Sequence, residues 1–150
     1  DRAQLTNRWD MEKGEPEAKL MTDAQLKECH DSGRIEIGSH GLGHKRLTGL
    51  NKQELADEVV QSRKSLESVI KADIHSFAYP YGDYGEREVK MVEKAGYQFG
   101  IGVLRGPTRF ADDLFQVRRI QIFPGTGKAT FWKKTCGYYL RYCNLKGKGA

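Results

Sequence analysis

Two histidines four residues apart, His40 and His44, are the side chains in this sequence best suited to bind a metal ion. If the turn between them is helical, positions i and i+4 lie on one side of it, so both rings could reach one ion. Imidazole is a good ligand for zinc and other first-row divalent metals. Gly41 and Gly43 permit a tight bend between the rings. Loop histidines also serve as solvated or packing residues, and spacing alone leaves that alternative open.

The segment before this turn, residues 35–38, is predicted to be a short β-strand. The histidines would then follow the carboxyl end of a strand, which is where α/β folds place their sites. This position favours metal binding over packing.

A second stretch with chemical potential is Phe-Ala-Tyr-Pro-Tyr-Gly at residues 77–82. It follows a β-prone segment at residues 75–79, and Pro80 stiffens the turn. An exposed Tyr81 amide at this turn could donate a hydrogen bond into a cleft. The alternative is an ordinary Pro-Tyr-Gly turn that contributes aromatic side chains to the core.

The composition fits one soluble domain that begins at residue 1 and ends at residue 150. Hydrophobic residues make up 38% of the 150-residue chain and charged residues 30%, and no apolar run is long enough to span a membrane. Three cysteines without a CxxC pair argue against a disulfide framework and against a cysteine-based zinc site, and they favour a reducing compartment such as the cytoplasm.

The net charge of +5 permits an acidic polymer or a membrane surface as a partner without requiring one. Basic residues cluster near the C-terminus, where a solvated helix face is the simplest interpretation. No recognition helix or aromatic–basic platform indicates nucleic-acid binding, and the oligomeric state is not predicted.

Hydrophobic periodicity and capping signals predict an α/β fold with a mainly parallel sheet. Thr22-Asp23 can cap the first helix, and Asn51 is the expected N-cap of the second, with a capping-box partner in Glu54. Predicted helices cover residues 24–31, 52–71, 86–94 and 129–142, and predicted strands cover residues 35–38, 75–79, 99–104 and 116–123. Residues 106–113 are predicted to be a loop, and residues 144–150 a disordered tail.

Taken together, these stretches resemble the polysaccharide deacetylases, the NodB-homology group of carbohydrate esterase family four. The resemblance covers roughly residues 20–122 and depends on several motifs in the expected order. These motifs are Ser-His-Gly-Leu-Gly-His at residues 39–44, Leu-Thr-Gly-Leu at 47–50, Phe-Ala-Tyr-Pro-Tyr-Gly at 77–82 and Ala-Gly-Tyr at 95–97.

The resemblance implies a metal-dependent hydrolase that removes N-acetyl (or O-acetyl) groups from a polysaccharide, with an acetylated amino-sugar polymer as the expected substrate. It implies a distorted TIM-like (β/α) barrel in which one aspartate and two histidines hold a divalent metal, with zinc expected first. The histidines map to His40 and His44. Tyr79, Pro80 and Tyr81 would contact the substrate, and the Tyr81 amide would stabilise the oxyanion.

The sequence departs from the family at several positions. The Thr-Phe-Asp-Asp-Gly motif, which supplies the base and the third metal ligand, has no match, and neither has the late Leu-x-His motif. Gly41 replaces the usual Ser or Thr. Phe77 replaces a frequent Arg that orients the catalytic aspartate, and Arg119 is expected to take over that role.

These departures predict that the chain is the C-terminal portion of a deacetylase domain and a poor catalyst by itself. The competing hypothesis is a non-catalytic carbohydrate-binding remnant of the same fold. Family members often work at the bacterial envelope, so the resemblance and the free cysteines point to different compartments.

Overall fold

A three-stranded parallel sheet lies at the centre of the part of the chain that the structure, a computed structural model, describes: residues 6–11, 14, 16–103 and 113–146. Its strands are β1 (Ser76–Ala78), β2 (Phe99–Gly102) and β3 (Val117–Arg118), in that spatial order. Phe77 pairs with Gly100, and Ile101 pairs with Val117. Ser39 adds a single parallel bridge to Phe77 on the other side of β1.

One long helix connects the histidine segment to β1. It consists of α3 (Lys52–Ala56), a π-helical turn (Asp57–Gln61) and α4 (Ser62–Ile70), which follow one another directly. As predicted, Asn51 caps its start: the Asn51 side chain accepts from the Glu54 backbone N–H, and the Glu54 side chain accepts from the Asn51 N–H. The helix ends at Lys71, which adopts a left-handed conformation.

The remaining helices are short. They are α1 (Arg8–Met11), α2 (Asp23–Asp31), α5 (Glu86–Lys94), α6 (Lys128–Thr135) and α7 (Tyr139–Leu145). Of the two predicted capping residues, Thr22 is the N-cap of α2, because its hydroxyl accepts from the Gln25 N–H, and the helix begins at Asp23. Helix α5 has the predicted bounds and connects β1 to β2, which completes a βαβ unit.

The hydrophobic core lies between the sheet and the long helix. It contains aliphatic residues of the long helix, of α2 and α5 and of the connecting segments, together with aromatic residues of the sheet and its connections. Its buried members are Leu26, Leu47, Leu55, Val59, Leu66, Ile70, Ile74, Phe77, Tyr79, Tyr84, Val92 and Tyr97.

Several predicted elements differ from the structure. Residues 35–38 form no strand; only Ser39 pairs with the sheet. The strand predicted for residues 116–123 is confined to Val117–Arg118. The predicted last helix is interrupted at residues 136–138, and helix α7 extends to Leu145, into the predicted tail. Residues 104–112 and 147–150, with most of the predicted loop and the end of the tail, lie outside the described residues.

Within the described ranges, no helix is both long and apolar enough to cross a membrane.

Candidate active site

The candidate site residues follow the carboxyl ends of neighbouring parallel segments. His40 comes directly after the bridge residue Ser39, Tyr81 lies three residues beyond the end of β1, and Arg119 comes directly after β3. Parallel segments present their carboxyl ends at one edge of the sheet, so residues that are far apart in sequence meet there.

The imidazole rings of His40 and His44 are in contact. Their Nε2 atoms lie 3.1 Å apart, and the ring centroids lie 4.7 Å apart at an interplanar angle of 67°. The structure therefore brings together the two rings that the sequence predicted as metal ligands.

A chain of hydrogen bonds orients both rings. His40 Nδ1 lies 2.6 Å from the Ala78 carbonyl oxygen, and a carbonyl can only accept, so this nitrogen carries the hydrogen. In the neutral ring, His40 Nε2 then has a free lone pair and accepts from His44 Nε2. This leaves His44 Nδ1 as the acceptor for the Tyr81 hydroxyl, 3.2 Å away.

The pKa of His40 lies below its ordinary value. Removal of water from part of the ring is the main cause; the hydrogen bond to Ala78 opposes it, and the positive charge of Arg119 adds to it. The neutral ring, which is the form that binds metal, is therefore favoured at neutral pH. The effect of Arg119 also shows that its charge acts on the histidine site.

The turn after β1 places Tyr81 beside the histidines. A 3₁₀ turn covers Pro80–Gly82, with Tyr81 at φ 59° and Gly82 at φ 64°. A Cβ atom on Gly82 would lie 2.6 Å from Val103 Cγ2, so a glycine is needed at this position for space as well as for conformation. The Tyr81 ring packs edge-on against His44 at 4.7 Å between centroids.

An exposed group of polar residues connects the histidine loop to this turn. The Arg46 guanidinium carbon lies 4.6 Å from the Tyr81 ring centroid, and its Nη1 lies 3.4 Å from Asp83 Oδ2. The Thr48 hydroxyl donates to the same Asp83 oxygen over 2.7 Å. Sequence reasoning did not assign Arg46 or Thr48 to the site, because their contacts depend on how two separate loops meet.

Glu58 is another site residue that sequence reasoning did not identify. It belongs to the π turn and is 4% exposed, and its carboxylate accepts hydrogen bonds from the loop between the histidines. Its position three residues after Leu55, on the apolar side of the helix, is the signal that could have revealed it.

The side chains of Tyr79 and Pro80 are fully buried in the core. The substrate contact expected for these two residues stays a prediction. The Tyr79 hydroxyl donates to the Phe115 carbonyl, and burial raises its pKa well above the usual range. Tyr81 is 36% exposed and remains available to a ligand. Phe77, at the position where the family often has Arg, is fully buried and packs against the rings of Tyr79 and Tyr97.

The histidine pair fits a divalent metal as one half of its ligand set. Two nitrogens that bind one zinc ion at about 2.0–2.1 Å in tetrahedral geometry lie roughly 3.3 Å apart, close to the separation seen here. A metal-binding histidine usually donates its other ring N–H to a carbonyl or carboxylate oxygen. His40 has such a partner in the Ala78 carbonyl. Within the described residues, no group of three or more His, Cys, Asp or Glu side chains is placed to hold a metal.

Comparisons with known proteins agree with the fold and the motifs. Residues 5–100 match the family described as Polysaccharide deacetylase. A curated Bacillus subtilis protein named "Putative polysaccharide deacetylase YxkH" is 31% identical over 111 residues, which are 74% of this chain and 39% of that protein.

Two solved structures show the same fold. The Streptococcus pyogenes deacetylase PplD, solved in complex with acetate, aligns with a TM-score of 0.69 and 22% identity over 83% of this chain and 54% of its own. The Bacillus cereus polysaccharide deacetylase BC0361 aligns with a TM-score of 0.67 and 24% identity over 77% of this chain and 37% of its own.

The chain thus spans between about a third and just over half of the proteins it resembles. The match over residues 5–100 covers more than half of the chain and includes both histidines and the Pro-Tyr-Gly turn. The chain belongs to the polysaccharide deacetylase family, and its fold is part of the α/β, TIM-like NodB-type architecture.

Proposed function

We propose that this protein contributes to the metal-dependent hydrolysis of N-acetyl or O-acetyl groups on a polysaccharide. The observation that supports this most directly is the convergence of His40 Nε2 and His44 Nε2 at the carboxyl edge of the sheet. An acetylated amino-sugar polymer is the substrate class we favour, because the family acts on polysaccharides.

The two histidines would hold the metal through their Nε2 atoms, with zinc as our first choice. When bound, such an ion lowers the pKa of a water molecule and polarises a carbonyl group. Binding through Nε2 requires the hydrogen of His44 to lie on Nδ1. The Tyr81 hydroxyl, which donates to that nitrogen in the chain of hydrogen bonds described above, would then accept from it.

Tyr81 and Arg119 are the other residues to which we assign roles. The left-handed conformation of Tyr81 fixes the direction of its backbone amide, which we propose donates to the oxyanion of the acetyl group. Arg119 would orient the catalytic carboxylate, and its electrostatic effect on His40 supports a position at the site.

The test is acetate release from an N-acetylglucosamine oligosaccharide and from an O-acetylated xylan, with zinc added and with zinc removed by a chelator. We expect slow release, because the Asp-Asp motif has no match in this chain. That release should depend on metal and be abolished by His40→Ala or His44→Ala. His30→Ala is the matched control, because His30 lies in α2 and not at the histidine pair.

Acetate release that persists in both His40→Ala and His44→Ala would refute the proposed role of the pair. Oligosaccharide binding without acetate release, measured by calorimetry in the same samples, would instead favour a non-catalytic carbohydrate-binding protein.

A further inference from the structure

The buried carboxylate of Glu58 lies under the loop that connects the two histidines. The residue is 4% exposed, and both Leu55, three residues before it, and the adjacent Val59 are fully buried. A buried carboxylate is costly unless its oxygens are hydrogen-bonded, so its partners indicate what it does.

Those partners belong to the histidine loop. Glu58 Oε2 accepts from the backbone N–H groups of Leu42 and Gly43, each over 2.9 Å. Oε1 lies 3.8 Å from Lys45 Nζ, an exposed ammonium group. Hydrogen bonds from backbone N–H to an ionised carboxylate are among the stronger ones in proteins. The carboxylate therefore fixes the two peptide units midway between His40 and His44.

The loop approaches the carboxylate closely because it contains glycines. A Cβ atom on Gly41 or on Gly43 would lie 3.1 Å from a Glu58 oxygen, which is closer than ordinary contact. Gly41 also has φ 85°, and His44 is held in the left-handed region at φ 54°. A non-glycine residue in that conformation persists only where surrounding contacts impose it.

The same π turn holds the other side of the histidine segment. Ser62, directly after the turn, accepts from the Ser39 hydroxyl over 2.8 Å and donates to the Val59 carbonyl over 3.0 Å. The buried Tyr97 hydroxyl donates to the same carbonyl over 3.0 Å. One segment of the long helix thus binds the chain before His40 through Ser62 and after it through Glu58. π turns inside α-helices are frequent at functional sites.

We propose that Glu58 is a positioning residue: its carboxylate imposes the loop conformation in which the Nε2 atoms of His40 and His44 converge. Its effect on the loop does not depend on metal, and only the consequence for metal affinity rests on the proposed function. Glu58 acts through the backbone of the loop and not on the substrate.

The experiment compares Glu58→Gln and Glu58→Ala with the control Glu88→Gln. Glu88 is an equally buried carboxylate, 3% exposed, which accepts from the Gly85 backbone N–H over 2.8 Å. Hydrogen exchange of the Leu42 and Gly43 amides in metal-free protein measures the loop, and calorimetric zinc titration measures the site. Glu58→Gln keeps one oxygen acceptor and is the variant used if Glu58→Ala does not fold.

We expect Leu42 and Gly43 to exchange at least about tenfold faster in Glu58→Ala, with a smaller increase in Glu58→Gln, since a neutral acceptor bonds about half as strongly. Zinc affinity should fall by about 10- to 100-fold, as for other residues that orient metal-binding histidines. Glu88→Gln should change neither the amide exchange of Leu42 and Gly43 nor the zinc affinity.

Unchanged exchange at Leu42 and Gly43 in folded Glu58→Gln and Glu58→Ala would overturn the proposal. Equal acceleration in Glu88→Gln would also overturn it, because the effect would then reflect stability alone. If the unaltered protein binds no zinc, the proposed function fails, and the exchange result still decides the role of Glu58.

Discussion

Four backbone positions around the histidine pair lie in the left-handed region: Gly41 at φ 85°, His44 at φ 54°, Tyr81 at φ 59° and Gly82 at φ 64°. Two of them are not glycine, and each such residue costs roughly 1–2 kcal/mol. The hydrogen bonds and ring contacts of His44 and Tyr81 accompany this strain at the place where the chemistry is proposed. Strain of this kind is typical of sites whose side chains must be held in one direction.

Gly41→Ser introduces the type of residue that related sequences often carry at this position, yet we expect it to destabilise this chain by about 1–2 kcal/mol. The φ of 85° disfavours any L side chain, and the new Cβ atom would lie 3.1 Å from a Glu58 oxygen. Urea denaturation measures the loss. Gly49→Ser is the control, because a Cβ atom there meets nothing within 4 Å, and its change should stay within about 0.5 kcal/mol. If Gly41→Ser and Gly49→Ser lowered the free energy of unfolding equally little, the strain assigned to the loop would be contradicted.

The sequence predicted the histidine pair because a spacing of four residues by itself places two side chains on one side of a helical turn. The contacts of Glu58, Arg46 and Thr48 could not be predicted in the same way. They join a side chain to backbone amides or to a residue 35 or more positions away, and no local pattern encodes such a partner. The burial of Tyr79 could not be assigned either, because a Pro-Tyr-Gly turn pattern does not say which aromatic side chains enter the core.

Among the elements, the helices were predicted best. Capping boxes at Thr22 and Asn51 are local, so the sequence alone locates those helix starts. The π turn at Asp57–Gln61 was not foreseen, because it depends on tertiary partners of the helix such as Tyr97. The predicted strand at residues 35–38 was wrong although its pattern is β-like. Strand pairing needs a partner, and only Ser39 has one.

Strand β1 is the element that connects the core to the site. Phe77 lies at its centre, is fully buried and pairs with both Gly100 and the bridge residue Ser39. We expect Phe77→Ala to lower the free energy of unfolding by about 3–5 kcal/mol, because a large buried ring is removed and a cavity is left. Phe131→Ala is the control, since Phe131 is 49% exposed in α6. Similar urea midpoints for the two variants would contradict the central place of β1.

For the whole molecule, charge is distributed unevenly along the chain. No Asp or Glu follows Asp113, while Arg118, Arg119 and several lysines do, so the excess of positive charge belongs to the last quarter of the sequence. Arg119 of this basic segment comes directly after β3, and its positive charge contributes to the lowered pKa of His40. Basic residues near a metal site favour anions there and disfavour protonated histidine.

The free energy of unfolding should fall at alkaline pH, and Tyr97 should contribute to this fall. Burial raises the pKa of Tyr97, so the folded protein holds the phenol proton more tightly than the unfolded chain, whose phenols titrate near about 10. This stabilisation is complete below about pH 10 and is lost as the pH rises further, by at most about 1.4 kcal/mol per pH unit for each such phenol.

Tyr97→Phe should therefore reduce the alkaline fall in the free energy of unfolding, measured by urea denaturation between about pH 8 and pH 11. It should also cost about 1 kcal/mol at neutral pH, because the hydrogen bond to the Val59 carbonyl is lost. Tyr138→Phe serves as the control, since Tyr138 is 74% exposed. An alkaline slope identical in Tyr97→Phe and in the unaltered protein would refute this assignment.

Zinc binding by the 150-residue chain tests how complete the metal site is. The described residues supply two converging imidazoles and no cluster of three or more ionisable ligands, so we expect a dissociation constant weaker than roughly 1 μM. Closed four-ligand zinc sites bind with a total free energy of about 10–16 kcal/mol, whereas a dissociation constant of about 1 μM corresponds to about 8 kcal/mol. Calorimetry should show this weak binding lost in His40→Ala and His44→Ala and kept in His30→Ala. Nanomolar binding that disappears in His40→Ala would contradict the prediction and would indicate a third ligand beyond the groups that the described residues place together.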